Sequence, residues 1–189
     1  MFLNSRTDKP ELPKEEVDRI MQGHMANINK MASEGKLQAA GPFEGGGGIF
    51  VFNTGSKDDV MEWLKADPGV QANRWKLEMY PYYSRTGGLC KVSEPYKMVM
   101  YTFVRFSLVN DKTELSVDLS TQHDDFMRRI AQAQETVTEA AFGEGGGSIY
   151  ISSGEVDKTL FESNPAVKAG ALKVEFKKLY IAKGSFCEK

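Results

Sequence analysis

The chain has 189 residues, 41% of them apolar and 26% charged, with a formal net charge of −2. That length suits one full domain or two small ones, and the slightly acidic balance argues against a nucleic-acid partner, which calls for a basic excess. No apolar run approaches the roughly 20 residues that span a bilayer, so no membrane partner is expected.

In chain order, the opening stretch "MFLNSRTDKPELPKEE" lacks the charged-then-apolar pattern of a signal peptide. The cytoplasm is the expected location for the chain as given, an expectation that a leader trimmed ahead of Met1 would change. "MFLN" reads as a short first strand that leaves one sheet edge thin. Pro13 suits the first turn of a helix that runs to Glu34, with Gly35 as its stop. Its apolar stripe is Val17, Ile20, Ile28 and Met31, and His24 lies four residues from both isoleucines, on the inward face. "EGGGGIF" (44–50) follows. It lacks the Lys-Ser/Thr of a phosphate loop and leads into a strand, so it reads as a hairpin turn. "SKDDVMEWLKA" is a second helix capped by Ser56 and limited by Pro68. An alternating strand, "RWKLEMYPYY" (74–83), closes the half.

The second half repeats this plan. "YKMVMYTFVRF" (96–106) is a strand, a long loop follows, and a helix from Leu119 to Thr136 carries His123. "EAAF" and "SIYIS" flank a second glycine turn, "EGGGSIY" (144–150), before a short helix in "EVDKTLFES" and a strand over 171–182. Histidines, glycine turns and the segments "DPGVQAN" and "NPAVKAG" recur at offsets of 99, 100 and 97 residues. The pattern is a tandem duplication, with a first repeat at 1–84, a linker at 85–95 and a second repeat at 96–189. Each half is a βαββαβ ferredoxin-like unit of an α+β fold. The open face of each sheet needs a cover, and the other copy's sheet is the natural one.

Cys90 and Cys187 show no CxxC spacing and no neighbouring histidine, so neither a metal site nor a redox pair is expected. Two reduced thiols are favoured over a disulfide between them. No GxSxG, HExxH or Walker pattern is present. The two histidines, the only ones in the chain, are either core residues or acid–base groups between helix and sheet. Arg74, just after the Asp67 turn, is a candidate for binding an anionic substrate.

His24, "EGKLQAAGP" ending in Gly41-Pro42, the glycine hairpin and "ADPGV" with Asp67-Pro68 form an ordered set over residues 14–83. In that set the first half resembles the YCII-related (YciI-like) family of the dimeric α/β-barrel superfamily. The resemblance implies two sheets packed face to face as an intramolecular dimeric α/β barrel. It also implies His24 as the acid/base, Asp67 as its orienting partner, and Gly41 and Pro42 beside the site. In the second half His123 is kept, but Asn164 replaces the aspartate and Ala141-Phe142 replaces Gly41-Pro42, so that site is expected to be degenerate. The function expected is a cofactor-free lyase or isomerase acting on a small cyclic or aromatic molecule through a His-Asp pair. The alternative is a non-catalytic module that binds a small molecule or a partner. A monomer with an internal pseudo-dimer and a homodimer both fit.

Overall fold

The computed structural model describes residues 1–8, 11–110 and 114–187, and the chain divides into two units, Met1–Met79 and Tyr80–Lys189. The first unit contains β1 (Phe2–Ser5), α1 (Lys14–Ser33), β2 (Leu37–Pro42), β3 (Gly48–Phe52), α2 (Lys57–Leu64), α3 (Pro68–Gln71) and β4 (Trp75–Glu78). Its antiparallel sheet runs β2-β3-β1-β4, the ferredoxin-like order. The expectation that β1 thins a sheet edge is corrected: β1 lies between β3 and β4, with Phe2 and Leu3 buried. Four residues suffice there because both neighbours pair with them.

Local chemistry sets the helix ends. Pro13, at φ −53° and ψ 146°, stands just ahead of α1, and Gly35 follows it at φ +70°, where a side chain would be strained. On α2, Ser56 Oγ accepts the Asp59 backbone N–H. The core of the unit is Leu3, Met31, Leu37, Phe50, Val60 and Leu64. Truncating a side chain such as Leu64, which is 0% exposed, to alanine costs about 2–5 kcal/mol. The glycine turn is the hairpin expected. Gly47 sits at φ +75°, and a Cβ there would lie 2.3 Å from the Leu3 carbonyl oxygen, so glycine brings the turn onto β1.

The second unit contains β5 (Tyr82–Thr86), β6 (Met98–Leu108), α4 (Val117–Ala133), β7 (Thr136–Phe142), β8 (Ser148–Ser152), α5 (Lys158–Glu162), α6 (Pro165–Lys168) and β9 (Leu172–Ala182). Its sheet runs β5-β7-β8-β6-β9. With β5 set aside, the order matches the first unit. Part of the loop expected after β6, residues 111–113, lies outside the described residues.

Four expectations change here. The strand expected over 74–83 breaks: β4 ends at Glu78, and Tyr82–Thr86 pairs with β7 in the second sheet. Pro81 lies in the gap, and without an N–H it cannot carry a ladder through. The division therefore falls at 79/80 instead of 84, and the expected linker contributes structure, with Leu89 bridging Phe186. Cys90 and Cys187 form a disulfide, supported by backbone bonds from Cys90 to Ser185 and from Cys187 to Gly88. Paired backbones on either side bring the two sulfurs together, which spacing alone does not reveal. The α4 helix starts at Val117, capped by Ser116, and ends at Ala133 because Thr136 opens β7.

The glycine turns also differ in length. Pro42 pairs with Gly48 around residues 43–47, whereas Ala141 pairs with Ser148 around 142–147. Phe43 and Phe142 both donate their N–H to the last turn glycine, at 3.0 and 2.8 Å. The counterparts of Gly41-Pro42 are thus Ala140-Ala141, one residue earlier than the sequence offset of the turn implies. Among the described residues no helix is long and apolar enough to cross a membrane.

Candidate active site

In the first unit, α1 presents His24, Asn27 and Met31 on its buried face at helical spacing. Gly23 lets α3 approach: a Cβ there would lie 2.6 Å from Pro68 Cγ. Asp67 is the N-cap of α3, and its Oδ1 accepts the backbone N–H groups of Gly69 (2.9 Å) and Val70 (3.1 Å). One capping residue therefore has a carboxylate left over for α1. His24 Nδ1 lies 3.0 Å from Oδ1 and 2.9 Å from Oδ2, and Asn27 Nδ2 donates to Oδ2 at 3.1 Å.

Asp67 is 0% exposed. Burial alone would raise its pKa, but the bonds from His24, Asn27 and the Val70 N–H outweigh it and hold the carboxyl below the usual carboxylate range. An ionised carboxylate only accepts, so the His24 Nδ1 bears the hydrogen, and in the neutral form of the ring the lone pair is on Nε2. His24 is 5% exposed, stacked at 5.7 Å on Phe50 and tilted at 4.6 Å against Trp75. Gly69 makes room for that indole, since a Cβ there would fall 2.3 Å from the Trp75 ring.

Sequence reasoning passed over Asn27, Phe50, Trp75, Gly23 and Gly69. Asn27 was within reach, because it stands three residues after His24 on the same helix face. Of the other candidates, Gly41 is buried in β2 and Pro42 is exposed at its end. Arg74 is half-buried just before β4 and gives its backbone N–H to Gly69. Its neighbour Trp75 packs against His24.

The second unit builds the same frame with different chemistry. Asn164 caps α6, and its Oδ1 accepts the Ala166 N–H at 2.9 Å. That bond fixes the amide, so its Nδ2 donates to His123 Nδ1 at 2.9 Å. The ring hydrogen then sits on Nε2 and goes to Ser148 Oγ at 2.8 Å. Burial lowers the pKa of His123, and an amide donating into Nδ1 also favours the neutral ring, because protonation would take its acceptor away. Both ring nitrogens are satisfied. Beside them β5 delivers Arg85 to the fully buried Glu139, with Nε at 3.1 and 3.0 Å from its two oxygens, and to Asp124 at 2.6 Å. Bonds to these carboxylates outweigh burial and raise the pKa of Arg85. By strand register, Glu139 corresponds to Ala40, so the first unit has no counterpart of this cluster.

Among the described residues no group of three or more His, Cys, Asp or Glu is placed to hold a metal ion. A surface concavity of about 350 Å³ lined by Lys91, Tyr96, Lys97 and Lys183 involves no residue that touches either histidine.

The first unit is thus a ferredoxin-like domain whose first long helix sets a histidine on a buried, capping aspartate. Residues 1–81 match the family model of the YCII-related domain, so this part of the chain is similar to that family. No curated protein and no solved structure matches the chain.

Proposed function

We propose that the first unit is an acid–base enzyme, of the lyase or isomerase type, acting on a small cyclic or aromatic molecule, with His24 as the proton-transferring group. The observation that carries this reading is the Nδ1–H···Asp67 pair, which leaves a basic lone pair on a nearly buried Nε2. In the proposed step Nε2 takes a proton from the substrate, and the imidazolium is stabilised by the ionised, fully buried Asp67. The proton is then returned to another atom of the same molecule or to a leaving group. Asp67 does not touch the substrate. It is a positioning residue that sets the tautomer, with Asn27 and the α3 amides holding it in turn.

The second unit supports a different reading for itself, a non-catalytic copy, because His123 offers no free lone pair. The Cys90–Cys187 disulfide favours an oxidising compartment over the cytoplasm expected from sequence. The test of the enzymatic reading is a metabolite screen with wild type, His24→Ala and His123→Ala in parallel. Turnover lost only in His24→Ala is expected. Turnover equal in all three would overturn it, and ligand binding without turnover in the wild type would make the first unit a binding module.

A further inference from the structure

We propose that Gly48 determines what His24 acts on. It leaves open the place that Ser148 Oγ fills beside His123, and that place takes the O–H group of a small alcohol, enol or phenol.

The two positions correspond by register. Gly48 and Ser148 each open the strand after the glycine turn, opposite Leu3 and Phe106 of the unit's first strand, and both are buried. Each histidine packs against the face that these strands present: His24 on Phe50, and His123 edge-on to Phe106 at 5.1 Å. In the second unit the Ser148 hydroxyl lies 2.8 Å from Nε2 and is 1% exposed, so it acts as a built-in occupant of the ring's outer nitrogen. The first unit has no hydroxyl at this position, and a side chain there would be crowded. A Cβ at Gly48 would stand 2.5 Å from the Gly41 carbonyl oxygen and 3.1 Å from Pro42 Cα. Position 48 therefore gives Nε2 of His24 no partner, and in this proposal the partner belongs to a separate molecule.

The polarity of that group follows from the tautomer. His123 donates from Nε2 and needs only an acceptor oxygen. His24 has its hydrogen on Nδ1, held by Asp67, so Nε2 accepts and its ligand must donate. A hydroxyl does so, whereas an ether does not. In the reacting complex the hydroxyl proton passes to Nε2, the oxygen keeps the electron pair of the broken O–H bond, and Asp67 balances the imidazolium. Reversal of the same transfer restores both partners.

This inference rests on His24 being the base, and the test separates the two. Because His24 and His123 are the only histidines, ¹⁵N spectra of the labelled full chain contain two imidazoles, recorded at a pH where both are neutral. Phenol and anisole serve as probes, sharing a ring and differing in the O–H. In the free protein, Nε2 of His24 is expected to be unprotonated and Nε2 of His123 protonated. A protonated Nε2 on His24 would overturn the base reading and this inference with it. Phenol is expected to shift the His24 Nε2 signal toward the protonated position and to bind about fivefold more tightly than anisole, the worth of one net hydrogen bond. With the tautomers as stated, an equal response to both probes, or none to phenol, would overturn this inference alone. Gly48→Ser is expected to abolish the phenol response. Should its strain against Gly41 prevent folding, Ser148→Gly decides: it opens the same place beside His123, whose signal should gain a phenol response, and no gain overturns the proposal.

Discussion

The two units share one histidine position and, β5 aside, one order of elements, and three of the places at which they differ set the hydrogen bonding of the ring. Asp67 corresponds to Asn164, Asn27 to Phe126, and Gly48 to Ser148. Each set is self-consistent. A carboxylate takes hydrogens from both His24 and Asn27. An amide pinned by Ala166 gives a hydrogen to His123 instead, an asparagine donor beside it would have no acceptor, and Phe126 fills that space as part of the core. The displaced ring hydrogen then needs an oxygen, which Ser148 provides. Exchanging one carboxylate oxygen for an amide nitrogen thus reverses the tautomer and turns an open base into a satisfied core residue.

The largest effect expected from breaking this comparison is in Asp67→Asn, which imposes the second unit's polarity on the first. The turnover that His24 supports should fall about 100- to 10,000-fold, the usual worth of a positioned acid–base group, with most of the loss in kcat. Asn27 would then point its amide at another amide, at a stability cost of about 1–3 kcal/mol. Asp67→Asn combined with Asn27→Phe should recover stability in urea but not activity. Recovery of activity would show that the carboxylate does not set the tautomer.

A second contrast is the covalent clasp of the second unit, since both cysteines lie there. Replacing Cys90 and Cys187 with serine should cost the second unit about 2–4 kcal/mol, read as a lower urea midpoint at His123 with the His24 signal unmoved. Next in size is Ser148→Ala, which leaves the Nε2–H of His123 buried without its acceptor, at about 1–3 kcal/mol. No change in stability would mean that the ring is not held in the tautomer described.

The α+β plan was legible in the sequence because glycine turns, Pro13, Gly35 and the Asp-Pro and Asn-Pro caps act through local sterics, which spacing reports directly. The inward direction of both histidines was legible for the same reason, from helical periodicity. What escaped depended on contacts between distant segments. Tyr82–Thr86 has an ordinary strand pattern, and nothing local says that it joins β7 instead of extending β4. The disulfide depends on Leu89 meeting Phe186. The one-residue slip at Gly41-Pro42 arises because the second turn is longer, visible only in strand pairing. The roles of Gly23 and Gly69 follow from what a Cβ would strike, Pro68 and Trp75, which sequence does not place.

The smallest predicted effect is the dependence of stability on pH, which should distinguish the units by window. His123 has a folded pKa below its ordinary value because it is buried. Between that value and about 6.5, the ordinary histidine pKa, the unfolded chain binds more protons, so stability is complete above this range and is lost as pH falls through it. Asp67 is also depressed, so its contribution is complete above the ordinary carboxylate pKa of about 3.9 and is lost only as pH falls below that, through its folded value. Acid titration followed by amide exchange should therefore loosen α4 near His123 first and α1 near Asp67 later. Asn164→Asp should remove the early step, because an ionised partner on Nδ1 favours the charged ring. Should α1 loosen first, burial would not be what keeps His123 neutral, and the contrast drawn between the two rings would lose its electrostatic basis.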